Sequence, residues 1–111
     1  MNILFKSKRL RELCHDEALA TRTLGQPSAR KLRSRLDDLA AINNLSTAKK
    51  LAGRFHPLTR DLDGAYSLDL HGGHRLVFEP VEDPLPRLND GSLDLSKVTC
   101  IRVILIGDYH D

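Results

Sequence analysis

Four histidines, His56, His71, His74 and His110, stand where no regular periodicity is evident, together with Arg75, Asp108 and Tyr109. These side chains are the ones best suited to chemistry in this chain. Histidine moves protons in either direction near neutral pH, because its unperturbed pKa is about 6.5. Arginine is a permanent, forked cation that can grip two phosphate oxygens. Metal-free cleavage of RNA needs these functions together: a base for the 2′-hydroxyl proton, an acid for the departing 5′-oxygen, and positive charge on the developing phosphorane. No Gly-rich phosphate loop, CxxC pair, HExxH or GxSxG sequence occurs, so most cofactor-dependent chemistry has no motif here. Neither a cofactor nor a metal is expected. His71 and His74 flank Gly72-Gly73 and could approach each other, but two imidazoles do not complete a tetrahedral site, and an exposed polar hairpin is the plainer reading.

Periodicity outlines the elements that must hold these residues. Ile3-Leu4-Phe5 is a short apolar patch, either a first strand or a lead-in. Leu10, Leu13, Cys14, Ala18 and Leu24 fall near one helical stripe between Ser7, a candidate N-cap, and Gly25, a stop, which predicts a single first helix. Ser28 offers the next N-cap, and Leu32, Leu36, Leu39 and Ala40 repeat with helical spacing as far as Ile42. Arg30, Lys31, Arg33 and Arg35 occupy the rest of that helix surface, with Asp37 and Asp38 following, either as a polyanion-binding face or as a solvated one. Ser46 to Ala52 could add a short helix before Gly53.

From Ala65 the pattern alternates, with Tyr66, Leu68 and Leu70 on one parity and Ser67 and Asp69 on the other. The reversal falls at His71–His74, and a second strand follows over Arg75–Glu79, closed by Pro80. Matching apolar residues across this hairpin favours Leu70 opposite Leu76 and Leu68 opposite Phe78. Val81–Lys97, with Pro84, Pro86, Gly91 and several acids, reads as a mobile acidic excursion. Val98–Ile106 is apolar on both parities, as a central strand covered on both faces should be. The order predicts an α+β fold in which two to three N-terminal helices pack on a small antiparallel sheet, as one domain over residues 1–111.

A length of 111 residues allows one buried core, and 41% hydrophobic with 29% charged residues is the balance of a folding chain. The net charge of +2 hides a division. Residues 1–60 hold 13 basic and 5 acidic side chains, a net +8, whereas residues 61–111 hold 4 and 10, a net −6. A basic half of this kind suits a polyanion, with an acidic protein as the alternative partner. The candidate RNA contacts are Arg30, Lys31, Arg33 and Arg35, then Lys49, Lys50, Arg54 and Arg60 on the way to His56. Cys14 and Cys100 lie far apart with no apolar leader of signal-peptide length, so reduced thiols in the cytoplasm are expected. No apolar run approaches the roughly 18 residues of a membrane span, and no membrane role is expected.

More specific signals are Phe55-His56-Pro57-Leu58, Leu62-Asp63-Gly64-Ala65-Tyr66-Ser67-Leu68, His74-Arg75-Leu76-Val77-Phe78 and the terminal Asp108-Tyr109-His110. In their order and approximate spacing the chain resembles the HigB-type toxins of the RelE superfamily, the killer proteins of bacterial type II toxin–antitoxin systems. The resemblance spans the chain in length and element order, and its specific parts are His56–Phe78 and the terminal tripeptide. It implies a RelE-like fold, ribosome-dependent endonucleolytic cleavage of mRNA in the A site, and a cognate helix-turn-helix antitoxin through which operator DNA is reached. His56 and His110 would be the main catalytic histidines, Asp108 and Tyr109 would complete the active site, and Arg75 would bind phosphate.

In that scheme His110 is acid or base at the scissile phosphate and His56 its complement or an oxyanion stabiliser. Asp108 orients an imidazole, and Tyr109 stacks on a base or bonds phosphate. Arg75 also has a structural reading, pairing with Asp69, and Tyr109 has one as an apolar plug. Two departures stand out. Thr59-Arg60-Asp61 replaces the lysine and glycine that relatives often carry after His-Pro-Leu, leaving Arg60 to supply any phosphate contact there. The excursion Val81–Lys97 is longer than the family's usual hairpin, and its acids would repel RNA near the site. A non-cleaving RNA- or ribosome-binding growth inhibitor and a degenerate antitoxin-binding co-repressor are the competing readings.

Overall fold

Short strands far apart in sequence assemble around β5, the longest of them. The structure is a computed structural model that describes residues 1–108; Tyr109, His110 and Asp111 lie outside the described residues. In chain order the elements are β1 (Asn2–Phe5), α1 (Lys8–His15), α2 (Glu17–Leu24), α3 (Gln26–Ala41), a 3-10 helix (Leu45–Lys50), β2 (His56–Pro57), β3 (Tyr66–Asp69), β4 (His74–Pro80) and β5 (Cys100–Asp108). The sheet order is β1-β5-β4-β3-β2. All neighbours run antiparallel except β1 and β5, so the expected antiparallel sheet is mixed. The Ile3-Leu4-Phe5 patch is therefore an edge strand. Its parallel placement needs a long crossover, which most of the chain between β1 and β5 supplies.

The single helix expected after Ser7 is two. Ser7 does cap α1, its Oγ accepting from the Leu10 N–H at 3.2 Å, and Gly25 closes α2 at φ +86°. Between them Asp16 leaves the helical region at φ −113° and ψ 101°. Its N–H still bonds the Glu12 carbonyl, ending α1, while its carboxylate accepts from the Leu19 N–H at 3.1 Å, starting α2. A short acidic side chain that caps the next turn competes with helix continuation, and hydrophobic spacing does not register it because Leu13 and Ala20 stay buried on either side. α3 begins before the expected cap, with Pro27 in its first turn. Ser28 is not a cap: it is 1% exposed, and its Oγ reaches the β3–β4 hairpin instead.

One face of the sheet is sealed. Leu32, Leu36 and Leu39 of α3 pack on Leu68, Leu76, Phe78, Ile101 and Val103 of the strands. The opposite face carries a smaller apolar cluster of Leu58, Ala65 and Val77 with Ile104 and Leu105. The β4–β5 register slips between Val77 and Phe78, so that Val77 faces Leu105 while Phe78 faces Val103. That bulge turns both Ile104 and Leu105 toward the smaller cluster, which accounts for a strand apolar on both parities.

The hairpin pairs Leu68 with Leu76, Tyr66 with Phe78 and Asp69 with Arg75. This lies two residues from the expected register. A shift of two preserves the face of every side chain, so alternation alone cannot detect it. The tight reversal through Gly72, at φ +62°, and the Asp69–Arg75 ion pair accompany the observed register. The expected mobile excursion is packed down as well. Glu82 accepts from the Thr99 N–H at 2.7 Å and the Cys100 N–H at 3.2 Å, Arg87 bridges to Leu93, and Leu93 and Leu95 join the main core. No helix among the described residues is long and apolar enough to cross a membrane.

Candidate functional site

Phe55 sets the direction of His56. Its ring stacks on Tyr66 at 5.0 Å and on Phe78 at 6.2 Å, at the margin of the sealed core. The next residue is thrown to the other face, where the β2–β3 register sets His56 opposite Ser67. Alternation along β3 and β4 places Ser67, Asp69, Arg75 and Val77 on that same face, Ser67 and Val77 fully buried and Asp69 and Arg75 partly exposed. Across β5 the residue opposite Arg75 is Gly107, and a Cβ added there would meet nothing within 4 Å among the described residues.

The imidazole is oriented by a backbone contact. His56 Nδ1 lies 2.8 Å from the Arg54 carbonyl, and because a carbonyl only accepts, Nδ1 carries the proton and Nε2 is the acceptor nitrogen of the neutral ring. Ser67 Oγ stands 3.5 and 3.3 Å from the two ring nitrogens. A nearly equidistant oxygen lies over the ring rather than on a lone pair, so Ser67 supports the imidazole by contact more than by hydrogen bonding.

Asp69 is the junction of the face. Its N–H donates to the Gly53 carbonyl at 2.6 Å, and its carbonyl accepts from Arg35 Nε at 3.0 Å. Its carboxylate accepts from Arg75 at 2.6 Å through Oδ1 and from Arg54 Nε at 2.9 Å through Oδ2. Partial burial by itself would raise the Asp69 carboxyl, but the Arg54 hydrogen bond and the charges of Arg75, Arg54 and His56 outweigh it and hold the group below the usual carboxylate range. Gly53 is required where it stands: at φ +106°, any Cβ would sit 2.5 Å from Arg35 Nε. Arg54 itself adopts φ +56°, an uncommon conformation for a side-chain-bearing residue, so the turn leading into His56 is held by these contacts.

The structure divides the residues singled out from sequence. His56, Arg54 and Arg75 share the open face. Arg35 turns inward onto the Asp69 carbonyl. Arg30, Lys31 and Arg33 are exposed on the side of α3 away from the sheet, with Arg33 paired to Asp37 at 3.7 Å. Lys49, Lys50 and Arg60 are exposed. Asp108 is set opposite His74, so of β5 it is Gly107 that adjoins Arg75. His74 has a structural engagement, with Nδ1 2.8 Å from Ser28 Oγ, which also accepts from the His71 N–H at 3.2 Å. That contact ties the hairpin to α3. Tyr109 and His110 lie outside the described residues.

Sequence reasoning named Asp69 only as a partner for Arg75 and did not single out Ser67. The signal was their shared parity with the strand face that alternation assigned away from the core. From the excursion, Leu85, Arg87 and Leu93 line a cavity with Pro57, Leu58 and Tyr66. Neither cysteine is an activated nucleophile, since burial pushes the Cys14 thiol up to about 12 and raises Cys100 as well. No group of three or more His, Cys, Asp or Glu among the described residues is arranged to hold a metal ion.

Comparison with solved structures relates this arrangement to known proteins. The chain superposes on YoeB in the YoeB–YefM complex from Staphylococcus aureus with a TM-score of 0.58 and 19% identity, over 100% of this chain and 98% of that one. The fold is that of YoeB. The YoeB dimer from Staphylococcus aureus gives the same values, and a YoeB/ParE toxin from Agrobacterium tumefaciens aligns with a TM-score of 0.53 and 19% identity over 99% of this chain and 100% of that one. No protein-family model and no curated protein matches the sequence. The likeness to YoeB extends over the whole chain, so the mixed sheet and its helical layer are shared as one unit and not as a fragment.

Proposed function

We propose that the chain is the toxin of a type II toxin–antitoxin system, of the HigB type, and that it cleaves mRNA in the ribosomal A site without a metal or cofactor. The observation that carries this reading is the gathering of His56, Arg54 and Arg75 on one open sheet face. In metal-free cleavage the 2′-oxygen attacks the adjacent phosphorus as its proton passes to a base. The P–O5′ bond breaks, an acid protonates the departing oxygen, and a 2′,3′-cyclic phosphate and a 5′-hydroxyl remain. His56, its Nδ1–H directed to the Arg54 carbonyl, serves as the base. Arg75 and Arg54 offset the charge that builds on the phosphorane oxygens.

By the resemblance, His110 supplies the complementary proton transfer, Asp108 orients an imidazole and Tyr109 stacks on a base or bonds phosphate. Arg30, Lys31, Arg33, Lys49, Lys50 and Arg60 contact the RNA backbone from outside the site. The YoeB fold supports a toxin, and the complex of one such YoeB with YefM supports a protein partner. We take that partner to be a helix-turn-helix antitoxin that also makes the operator contacts. A ribosome-bound substrate places the activity in the cytoplasm.

Induced expression is expected to arrest growth and to create transcripts with new 5′-hydroxyl ends, read by mapping RNA ends. Arrest without new ends would replace cleavage by RNA binding alone, for which the exposed Arg30, Lys31 and Arg33 face is available. Absence of both would leave only a co-repressor role.

A further inference from the structure

We propose that Asp69 is a positioning residue: its carboxylate holds Arg75 and Arg54 together on the His56 face as a two-cation cradle for one phosphate group. The proposal rests on the ribonuclease reading for its substrate but not for its geometry.

Asp69 is itself anchored before it anchors anything. Its N–H and carbonyl are engaged by Gly53 and by Arg35 of the helical layer, so its carboxylate has a fixed origin. Oδ1 then accepts from Arg75 and, at 3.4 Å, from Arg54 Nη2, while Oδ2 accepts from Arg54 Nε. Without the intervening negative charge two guanidiniums this close would repel each other. With it, the two cations can stand side by side.

Arg75 is the more constrained cation. Its side chain is only 18% exposed, and among the described residues its sole acceptor is Asp69 Oδ1. A guanidinium has several N–H donors. A largely buried fork held at one nitrogen by a carboxylate is pre-organised for phosphate oxygens. The Asp69–Arg54 bond also steadies the turn whose carbonyl orients His56. The same carboxylate could instead mask the arginines as an internal competitor of phosphate, and the two roles predict opposite signs.

The test uses the full-length protein and inorganic phosphate. In wild type, the arginine side-chain N–H signals of Arg54 and Arg75 should exchange slowly with water and move on addition of phosphate. Asp69→Asn keeps the shape and removes the charge. Its folded form, checked by circular dichroism, should lose the slow exchange and bind phosphate about tenfold more weakly, the value of one charge-assisted contact. Asp69→Glu should restore binding. Arg54→Ala, a change at an exposed side chain, should weaken phosphate to a similar degree and keeps the proposal testable if Asp69→Asn does not fold. Unchanged or tighter binding in folded Asp69→Asn, no effect of Arg54→Ala, or no phosphate binding by wild type would overturn the cradle.

On ribosome-bound mRNA the expected effect of Asp69→Asn is a lowered kcat, because the cations it positions act on charge that develops in the transition state. If wild type cuts no RNA but the phosphate results hold, the ribonuclease reading fails and the cradle stands. If RNA is cut while Asp69→Asn binds phosphate as wild type does, the reverse is true.

Discussion

The two faces of the sheet are built from alternate residues of the same strands and do opposite things. Leu68, Leu76 and Phe78 lie beneath α3 at 0% exposure, and even the polar contact on that side, Ser28 with His71 and His74, is partly buried. One residue away along each strand, Asp69 and Arg75 lie partly exposed on the other face with His56, beside the fully buried Ser67 and Val77. The sealed face therefore carries the stability that lets the open one hold Arg75 and Asp69 partly desolvated and Arg54 in an unfavourable backbone conformation. Position on the pleat, more than residue type, separates His74, a structural tie, from His56, a candidate base.

Changes to the sealed face should break the molecule first. Phe78→Ala removes a fully buried ring shared by the core and the Phe55 stack, and is expected to cost about 3–5 kcal/mol in urea unfolding. A loss below about 1 kcal/mol would mean that the helical layer does not depend on this core. Ser28→Ala leaves the His71 N–H and His74 Nδ1 without their shared partner and should cost about 1–3 kcal/mol. An effect confined to stability, with phosphate binding intact, would sharpen the division between the faces.

The open face should respond to pH. Because the Asp69 carboxyl is held below the usual carboxylate range, its stabilising contribution is complete above the unfolded value of about 3.9 and is lost as pH falls through the lower folded value. The difference in urea midpoint between wild type and Asp69→Asn should be constant from about pH 5 to 7 and shrink below about pH 4. A difference that widened on acidification would contradict the pairing.

How much of this was legible in the sequence depended on range. Ser7 and Gly25 act through their own turn, and both act as their residue types suggested. Asp16 is equally local, yet hydrophobic spacing passes over it because capping leaves no periodic trace. β1 finds a parallel partner at the far end of the chain, which four residues of pattern cannot specify. The hairpin register is invisible to alternation for the symmetry reason already given. Of the site, His56 and Arg75 were recognisable by motif, whereas the Asp69 junction needed the register that sets it opposite Arg75 and the fold that brings Arg35 and Arg54 to it. Arg35 belonged by sequence to a basic helix face, and only its geometry shows a guanidinium committed to the backbone of β3.

If the face that carries Asp69 and Arg75 cleaves RNA as proposed, His56 stands at the centre of the reaction. The most direct test is the single-turnover rate of cleavage of ribosome-bound mRNA by wild type and by His56→Ala, each first shown to be folded by circular dichroism. A loss of at least about a hundredfold, with stability changed by less than about 1 kcal/mol, is the predicted result. Cleavage by His56→Ala at the wild-type rate would contradict it.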